Sequence, residues 1–385
     1  VFKYSPPTGF LALCSANLSV SSDIDPAGDD GATENPTKQF GVVTYTGSST
    51  SAQTITGLGF KPDLVWAKMT NSSQRNFLTD TNRGITKHLF SDASSDEETD
   101  SGMGNTNPIY TAFNDDGFVF GTSGSGPNDS SREYVAWCWK ANGGTNTSFS
   151  AGGNQLAGTY QANTKSKFSI ITYTGSGSTG EVLHGMSATP NFIIAKDRGA
   201  TYWWSVYHKS DGTVNTGYDS LLYLNSANSI ASGQNVNIVP DSTKISMAGN
   251  EQINKSGNTY VMYAWADVEG YSKFGKYVGN GNSNGSFVYT GFRPRMIFTK
   301  RFDGGTENWG VFDTARATYN PTSAHSDGQI QWDTTGAGSA GSTHGVDFLS
   351  NGFKLRGTGG LNNQSGGSYI YGAWSDVPFK YNNTF

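Results

Sequence analysis

The stretches that decide the fold are KPDLVWAK at residues 61–68, TPNFIIAK at 189–196 and RPRMIFTK at 293–300. Each contains a proline followed 6 positions later by a lysine, at 62 and 68, 190 and 196, and 294 and 300. The residues between them are mostly apolar and rich in β-branched and aromatic types, which favours a buried strand. A proline at the start of a strand removes a ladder hydrogen bond where the loss is best tolerated. We therefore predict three equivalent central strands.

Two further landmarks flank each of these strands in the same order. The opening one reads FGVVTYTG from Phe40, FSIITYTG from Phe168 and FGKYVGNG from Phe274. The closing one reads YVAWCW at 134–139, YVMYAW at 260–265 and YIYGAW at 369–374. The opening Phe and the closing Trp are separated by 99, 97 and 100 positions. A recurrence at this spacing indicates three diverged copies of one unit of about 100 residues.

Within each copy, short runs with period-two alternation between turn residues predict about seven antiparallel strands, and hence an all-β chain. Each copy is predicted to be an antiparallel β-sandwich-like module whose closing-strand rings fill its own core. The alternative is one closed body with pseudo-threefold symmetry, in which the copies share a central core. The predicted divisions are an N-terminal segment (1–36), repeat 1 (37–141), a Gly/Ser/Asn linker (142–167), repeat 2 (168–270) and repeat 3 (271–385).

Composition narrows the range of functions. The 385 residues include 50 glycines, 13% aromatic and 15% charged residues, and the net charge is −5. A nucleic-acid protein usually concentrates basic residues on one face, so we expect no nucleic-acid partner. No apolar run reaches the roughly 18 residues of a membrane-spanning helix, so we expect no membrane insertion. The two cysteines, Cys14 and Cys138, are expected to be buried thiols rather than a disulfide.

Catalytic signatures are missing from the sequence, and we predict that the chain is not an enzyme and takes no cofactor. The five histidines fall at non-equivalent positions without metal-ligand spacing, and no nucleophile elbow or phosphate-binding loop is present. The alternating acidic residues of the loop at 92–106 resemble part of a calcium loop, but the central Gly and closing Glu of that pattern are missing, so no metal is predicted.

Two sets of residues are candidates for binding. Lys68, Lys196 and Lys300 close the three central strands; they are expected to reach solvent at the strand ends, and the alternative is that they ring a binding face. The second set is aromatic. Strand alternation would send Trp203 and Trp204 to opposite faces, so that one is exposed and free to stack on a sugar or a partner. The aromatic candidates are Trp203, Trp204, Tyr207 and Trp309.

Some of these motifs also carry a family resemblance. YSPPTGFLALCSANL at 4–18, GLGFKPDLVWAK at 57–68 and YVAWCWKA at 134–141 resemble the repeat region of tail-associated, tail fibre-like virion proteins of marine tailed phages. In those proteins a concanavalin-like or SPRY-like domain normally precedes the repeats. The resemblance implies that residues 1–36 are the end of such a domain plus a connector. It also implies a place on the virion surface.

The expected function is therefore adhesion to a host-surface glycan by a virion protein that contacts other virion proteins and forms a homo-oligomer, with a trimer as the working expectation. Repetition suits such a task, because linked weak sites multiply affinity. A purely structural spacer or decoration module is the first alternative. A polysaccharide-degrading tailspike enzyme is the second, and it would need two carboxyl groups across a groove.

Overall fold

The computed structural model describes residues 38–49, 51–123, 126–210, 221–316, 329–338 and 343–375. In these ranges the regular structure is almost entirely antiparallel β-sheet, and the one helix, α1 (Glu251–Asn254), is a single turn. The predicted all-β class is confirmed. The N-terminal segment 1–36, including Cys14, lies outside the described residues.

Repeat 1 forms two sheets. Its strands are β1 (Phe40–Thr46), β2 (Gln53–Ile55), β3 (Leu64–Met69), β4 (Phe77–Asp80), β5 (Lys87–Phe90), β6 (Glu98–Thr99), β7 (Tyr110–Asn114), β8 (Gly117–Phe120) and β9 (Glu133–Trp139). The larger sheet has the order β1-β9-β3-β4-β5-β6, and the smaller has the order β2-β8-β7. The central strand β3 is buried along its whole length.

The segment between repeats 1 and 2 is not the linker that its composition predicts. It forms a hairpin of β10 (Thr147–Phe149) and β11 (Gly158–Asn163), and β11 pairs along the opening strand of repeat 2. Phe149 and Leu156 are buried in the core of repeat 2. Two well-placed apolar side chains are enough to anchor this polar segment, because the backbone ladder supplies the other contacts.

Repeat 2 has the same two-sheet plan. Its strands are β12 (Phe168–Thr174), β13 (Gly180–Leu183), β14 (Phe192–Asp197), β15 (Ser205–His208), β16 (Leu222–Tyr223), β17 (Val239–Pro240), β18 (Lys244–Met247) and β19 (Thr259–Trp265). The sheets have the orders β10-β11-β12-β19-β14-β15-β16 and β13-β18-β17. Helix α1 lies between β18 and β19.

Repeat 3 follows the same two-sheet plan, but its opening strand begins two residues before Phe274. Its strands are β20 (Ser272–Val278), β21 (Phe287–Tyr289), β22 (Met296–Arg301), β23 (Gly310–Asp313), β24 (Ile330–Gln331), β25 (Val346–Leu349), β26 (Gly352–Leu355) and β27 (Ser368–Trp374). The sheets are β20-β27-β22-β23-β24 and β21-β26-β25. Phe40 and Phe168 pair with their closing tryptophans, whereas Trp374 pairs with Ser272. Aligning Phe274 with the other opening phenylalanines was therefore wrong by two residues.

The larger sheet of each repeat is covered on both faces. One face packs on the smaller sheet of the same repeat, which gives three separate cores. The other face points into a fourth core that all three repeats line. In β14, for example, Ile193 and Ala195 face the core of repeat 2, and Phe192 and Ile194 face the shared one. Burial on both faces explains why these strands are continuously apolar.

The closing tryptophans meet at the centre of the shared core. The ring centroids of Trp139, Trp265 and Trp374 lie 5.8, 5.5 and 6.0 Å apart in the three pairs 139–265, 139–374 and 265–374. The expectation that the closing-strand rings fill the core of their own repeat is wrong for these tryptophans, whereas Tyr260, Tyr369 and Tyr371 do lie in such cores. Each repeat therefore has a core of its own, and all three repeats also line a shared one.

Polar contacts between the repeats run in a cycle. The Tyr263 hydroxyl of repeat 2 donates to Asp80 of repeat 1 at 2.6 Å. The Trp137 indole of repeat 1 donates to Asp313 of repeat 3 at 3.1 Å. His208 of repeat 2 lies 3.1 Å from the carbonyl oxygen of Tyr371 in repeat 3. Each repeat therefore contacts both others, as a pseudo-threefold arrangement requires.

Candidate binding cleft at Trp203

Three of the four aromatic candidates lie inside the protein. Trp204 and Trp309 are fully buried in the shared core, and Tyr207 is 6% exposed in the core of repeat 2. The Trp204 indole donates to the Phe90 carbonyl at 2.8 Å, and the Trp309 indole donates to the Tyr223 carbonyl at 2.9 Å. These two rings join neighbouring repeats and offer no face to a ligand. Assigning Trp204 and Trp309 to ligand binding was therefore wrong. Strand alternation predicts that one of the adjacent residues Trp203 and Trp204 is buried, but it does not identify which one.

The repeated lysines do not reach solvent, so that expectation was wrong as well. Lys68, Lys196 and Lys300 are fully buried, and each ammonium group donates to backbone carbonyl oxygens. Lys68 reaches the Thr335 carbonyl of repeat 3 at 2.8 Å, and Lys300 reaches the Ala227 carbonyl of repeat 2 at 2.8 Å. Burial lowers the pKa of all three to about 8. Among the described residues, the carbonyls that accept from these lysines belong to Gln74, Thr335, Asp197, Ala200, Ser226, Ala227 and Glu307.

The burial of these lysines predicts how the stability of the protein depends on pH. The pKa of Lys196 is about 8 in the folded protein and 10.5 for a free lysine, so the unfolded chain binds more protons between these values. The contribution of Lys196 to stability therefore rises with pH from 8 to 10.5 and is lost as pH falls through that window. As pH rises through this window, we expect the free energy of unfolding of wild type to increase relative to that of Lys196→Met, by up to about 1 kcal/mol per pH unit. Urea unfolding at pH 7.5, 8.5 and 9.5 measures this; parallel pH profiles of the two proteins would contradict it.

Trp203 is the aromatic candidate that does reach the surface. Its side chain is 41% exposed, whereas the adjacent Trp204 is fully buried. The two side chains lie on opposite sides of the segment that leads into β15. Trp203 packs edge-to-face on Tyr223, with ring centroids 4.7 Å apart and an interplanar angle of 81°. The exposed indole is therefore held in place by a second aromatic ring.

Trp203 borders an open cleft of about 490 Å³. Its walls are formed by Tyr202, Trp203, Tyr223, Asn250, Glu251 and Gln252. The Tyr202 hydroxyl donates to the Glu251 carboxylate at 2.5 Å and accepts from the Lys255 ammonium at 3.1 Å. That hydrogen bond raises the pKa of Lys255, so the ammonium stays charged. Tyrosine, carboxylate and ammonium thus form one chain along the rim.

The floor of the cleft is an amide network around Tyr223. The Gln252 amide donates to the Tyr223 oxygen at 3.0 Å, and the Tyr223 hydroxyl donates to Gln234 at 2.7 Å. Helix α1 places Gln252 here, because the Asn250 side chain accepts the Gln252 N–H at 2.8 Å and caps the helix. Fixed amide and hydroxyl groups beside an aromatic ring are the usual lining of a small-molecule site.

Sequence reasoning found Trp203 but missed the rest of the cleft. The pattern of the sequence did not single out Tyr223, Glu251 or Gln252. These residues stand about 20 and 50 positions after Trp203 in the sequence. The Asn250 cap followed by Glu251 is a helix-start signal that the sequence does contain.

Among the described residues, no group of three or more His, Cys, Asp or Glu side chains is placed to hold a metal ion. Two of the alternating acidic side chains of the loop at 92–106 instead contact side chains of repeat 1: Glu98 pairs with Arg75 at 2.9 Å, and Asp100 contacts His88 at 2.8 Å. Within the same ranges, no helix is long and apolar enough to cross a bilayer. Cys138 is a buried free thiol whose pKa is raised by burial.

Comparison with known proteins places the chain in a family. A family model described as "Domain of unknown function (DUF7483)" matches residues 35–378, and the chain belongs to this family. The matched span contains every described strand of the three repeats, which agrees with their sharing one core. No curated protein and no solved structure matches the chain.

Proposed function

We propose that this protein works by binding, and that the cleft at Trp203 holds a glycan. The observation that carries the proposal is a half-exposed indole fixed beside a floor of amide and hydroxyl groups, with a carboxylate on the rim. An aromatic ring can stack on the apolar C–H face of a sugar, while neighbouring amide and hydroxyl groups bond to its hydroxyls. Both kinds of group converge in this cleft.

The setting that we propose is the surface of a phage virion. It is supported by the resemblance of the motifs at 4–18, 57–68 and 134–141 to tail fibre-like virion proteins. A binding role also fits the position of the cleft on one repeat, outside the shared core. In a homo-oligomer, several copies of one weak site would act together.

A glycosidase is the weaker proposal. It would use two carboxyl groups across the sugar, one as acid and one as base or nucleophile. The lining of the cleft, as far as the structure describes it, contributes one carboxylate, Glu251, and that group accepts from Tyr202. This pattern favours sugar binding over hydrolysis.

Replacing Trp203 with alanine is the direct test of glycan binding. The purified chain is screened on a glycan array and against extracted host-surface polysaccharide, and bound sugars are then titrated by calorimetry. We expect saturable binding that falls by about tenfold or more in Trp203→Ala, because the stacking surface is lost. The unfolding midpoint should fall only modestly, since the ring is half-exposed and lies outside the shared core.

Val239→Ala is the matched control, because Val239 is also an exposed apolar residue of repeat 2 but lies outside the cleft lining. Equal binding by both variants would place any glycan site elsewhere. Release of reducing ends from the polysaccharide by wild type would support the hydrolase instead. No binding by a folded wild type would favour the structural role.

A further inference from the structure

The opening strands of the three repeats differ in what borders their outer edge. In repeat 2, β11 pairs along β12 from Asn163 opposite Phe168 to Gly158 opposite Tyr173. In the described residues, β1 and β20 are the terminal strands of their sheets. One of three equivalent edges is therefore covered by a strand of the chain itself, and it shows what kind of polypeptide fits there.

The hairpin at 147–163 also covers the start of the smaller sheet of repeat 2. The Glu181 N–H donates to the Asn154 carbonyl at 2.8 Å, and the Leu156 N–H donates to the Glu181 carbonyl at 2.9 Å. The Tyr160 ring lies against Gly185 just beyond β13. From Thr147 to Asn163 the hairpin has no charged side chain. The covering segment is thus extended, uncharged and anchored by isolated large apolar residues.

Among the described residues, no segment covers the corresponding surface of repeat 3, and this surface is apolar. In the smaller sheets, Val182 of β13 pairs with Ile245, the second residue of β18, and Val288 of β21 pairs with Phe353, the second residue of β26, so Glu181 corresponds to Phe287. Phe287 is 46% exposed and Tyr289 is 65% exposed, and Val278 at the end of β20 is 57% exposed. These are three of the five large apolar side chains that are exposed in the described residues.

Repeat 1 shows that an open edge does not require apolar residues. By the same register, the positions of Val278, Phe287 and Tyr289 are taken in repeat 1 by threonines. These exposed threonines are Thr46, Thr54 and Thr56. Repeat 3 thus carries apolar side chains where an equivalent uncovered edge of the same protein is polar. A cluster of this kind marks a surface that another polypeptide covers.

The backbone of β20 is also arranged to accept a strand. Gly279 donates to Gly367 on the β27 side, so alternation turns the N–H and C=O of Lys276 to the outer edge. The neighbouring outward groups are partly used within the repeat: the Phe274 N–H donates to Asp267 at 2.8 Å, and the Val278 carbonyl accepts from Ser286 at 2.8 Å. The open edge is therefore short and centred on Lys276.

We propose that β20 of repeat 3, with Val278, Phe287 and Tyr289, is a docking edge for an extended, uncharged segment of a partner protein. The segment adds antiparallel to β20, as β11 adds to β12, and its large apolar side chains cover the three exposed ones. Main-chain hydrogen bonds provide affinity in this mode of recognition, and the apolar contacts select the sequence.

The test uses the chain's own hairpin as the probe. A fluorescent peptide of residues 145–165 is titrated with the full chain, and a scrambled peptide of the same composition serves as the reference. We expect saturable binding of the hairpin peptide only. Hydrogen exchange of the backbone at 274–278 should slow when the peptide is bound, because strand addition protects the Lys276 N–H.

The matched variant gives repeat 3 the residues of repeat 1: Val278→Thr, Phe287→Thr and Tyr289→Thr together. We expect it to fold with an unchanged unfolding midpoint and to bind the peptide at least about tenfold more weakly. Val239→Thr, an equally conservative change of an exposed valine outside this surface, should leave binding unchanged.

Three results would overturn the proposal. The first is an absence of saturable peptide binding to the folded wild type, or binding that the triple threonine variant retains. The second is self-association of the wild type, seen by sedimentation velocity and lost in the triple variant, which would assign the face to a second copy. The third is glycan binding that depends on Phe287 and Tyr289, which would make the face a sugar site.

Discussion

Replacing Trp374 with alanine is expected to lower the free energy of unfolding by about 3–5 kcal/mol, the range for large aromatic side chains deleted from a packed core. Trp374 is 1% exposed and lies where the three repeats meet. Its ring contacts Trp139 of repeat 1 and Trp265 of repeat 2 at 5.5 and 6.0 Å, and Phe274 of its own repeat at 5.3 Å. The cavity would therefore be lined by all three repeats, and none of them can close it alone.

Urea unfolding followed by far-ultraviolet circular dichroism measures the effect. Because the lost contacts belong to all three repeats, we expect one transition that moves as a whole to lower urea. Trp203→Ala is the control, since it removes the same side chain from a half-exposed position that packs on Tyr223, and it should cost about 1.5 kcal/mol or less. A loss under 1 kcal/mol in Trp374→Ala would show that the shared core is not the main source of stability. A separate early transition of repeat 3 would show that the repeats fold independently.

The strands were the part of the fold that the sequence predicted well. The runs of alternating or continuous apolar residues at 64–69, 192–197 and 296–301 are strands in the structure, with the proline just before each. These signals are local, because strand formation follows the spacing of side chains along a few residues. The all-β class needed nothing more.

The packing of the repeats was predicted only as an alternative, because both faces of the central strands are apolar. Nothing in FIIA distinguishes the face that Phe192 and Ile194 turn to the shared core from the face that Ile193 and Ala195 turn to their own repeat. The hairpin at 147–163 was missed for the opposite reason. Its anchors, Phe149 and Leu156, are isolated in a polar segment that reads as a linker.

Of the residues that line the candidate cleft, the sequence predicted only Trp203. Trp203 is exposed beside an aromatic neighbour, and the other groups of the cleft come from segments that only the fold brings to it. The lysines illustrate the same limit. A lysine at the end of a buried strand usually extends to water, but Lys68 instead meets the carbonyl of Thr335, 267 positions away. No local pattern contains that partner.

Replacing Arg83 with methionine is the second large effect that we expect, a loss of about 3–5 kcal/mol, because it leaves a buried carboxylate without its partner. Arg83 and Asp80 have fully buried side chains, and the guanidinium donates to the Asp80 carboxylate at 2.5 Å. The Arg83 guanidinium also forms an ion pair with Glu97 at 3.0 Å. Glu97 in turn pairs with Arg198 of repeat 2 at 2.9 Å. Burial alone would lower the pKa of Arg83, but Asp80 and its other partners raise it, so the charge is kept.

The dependence on pH separates a lost ion pair from lost packing. In wild type, burial alone would raise the pKa of Glu97, but Arg198 and Arg83 lower it, so the stability that the charged carboxylate provides is lost as pH falls through the lowered pKa. Arg83→Met removes one of these partners, so the variant has less of that stability to lose in acid. The stability gap between the two proteins should therefore narrow from pH 7 to pH 4.

Adding Asp80→Asn to Arg83→Met should recover part of the loss at pH 7. Arg75→Met removes a surface pair with Glu98 and should cost at most about 1 kcal/mol. If Arg83→Met costs no more than Arg75→Met, or if its deficit is the same at both pH values, the buried ion pair does not stabilise the fold as expected here.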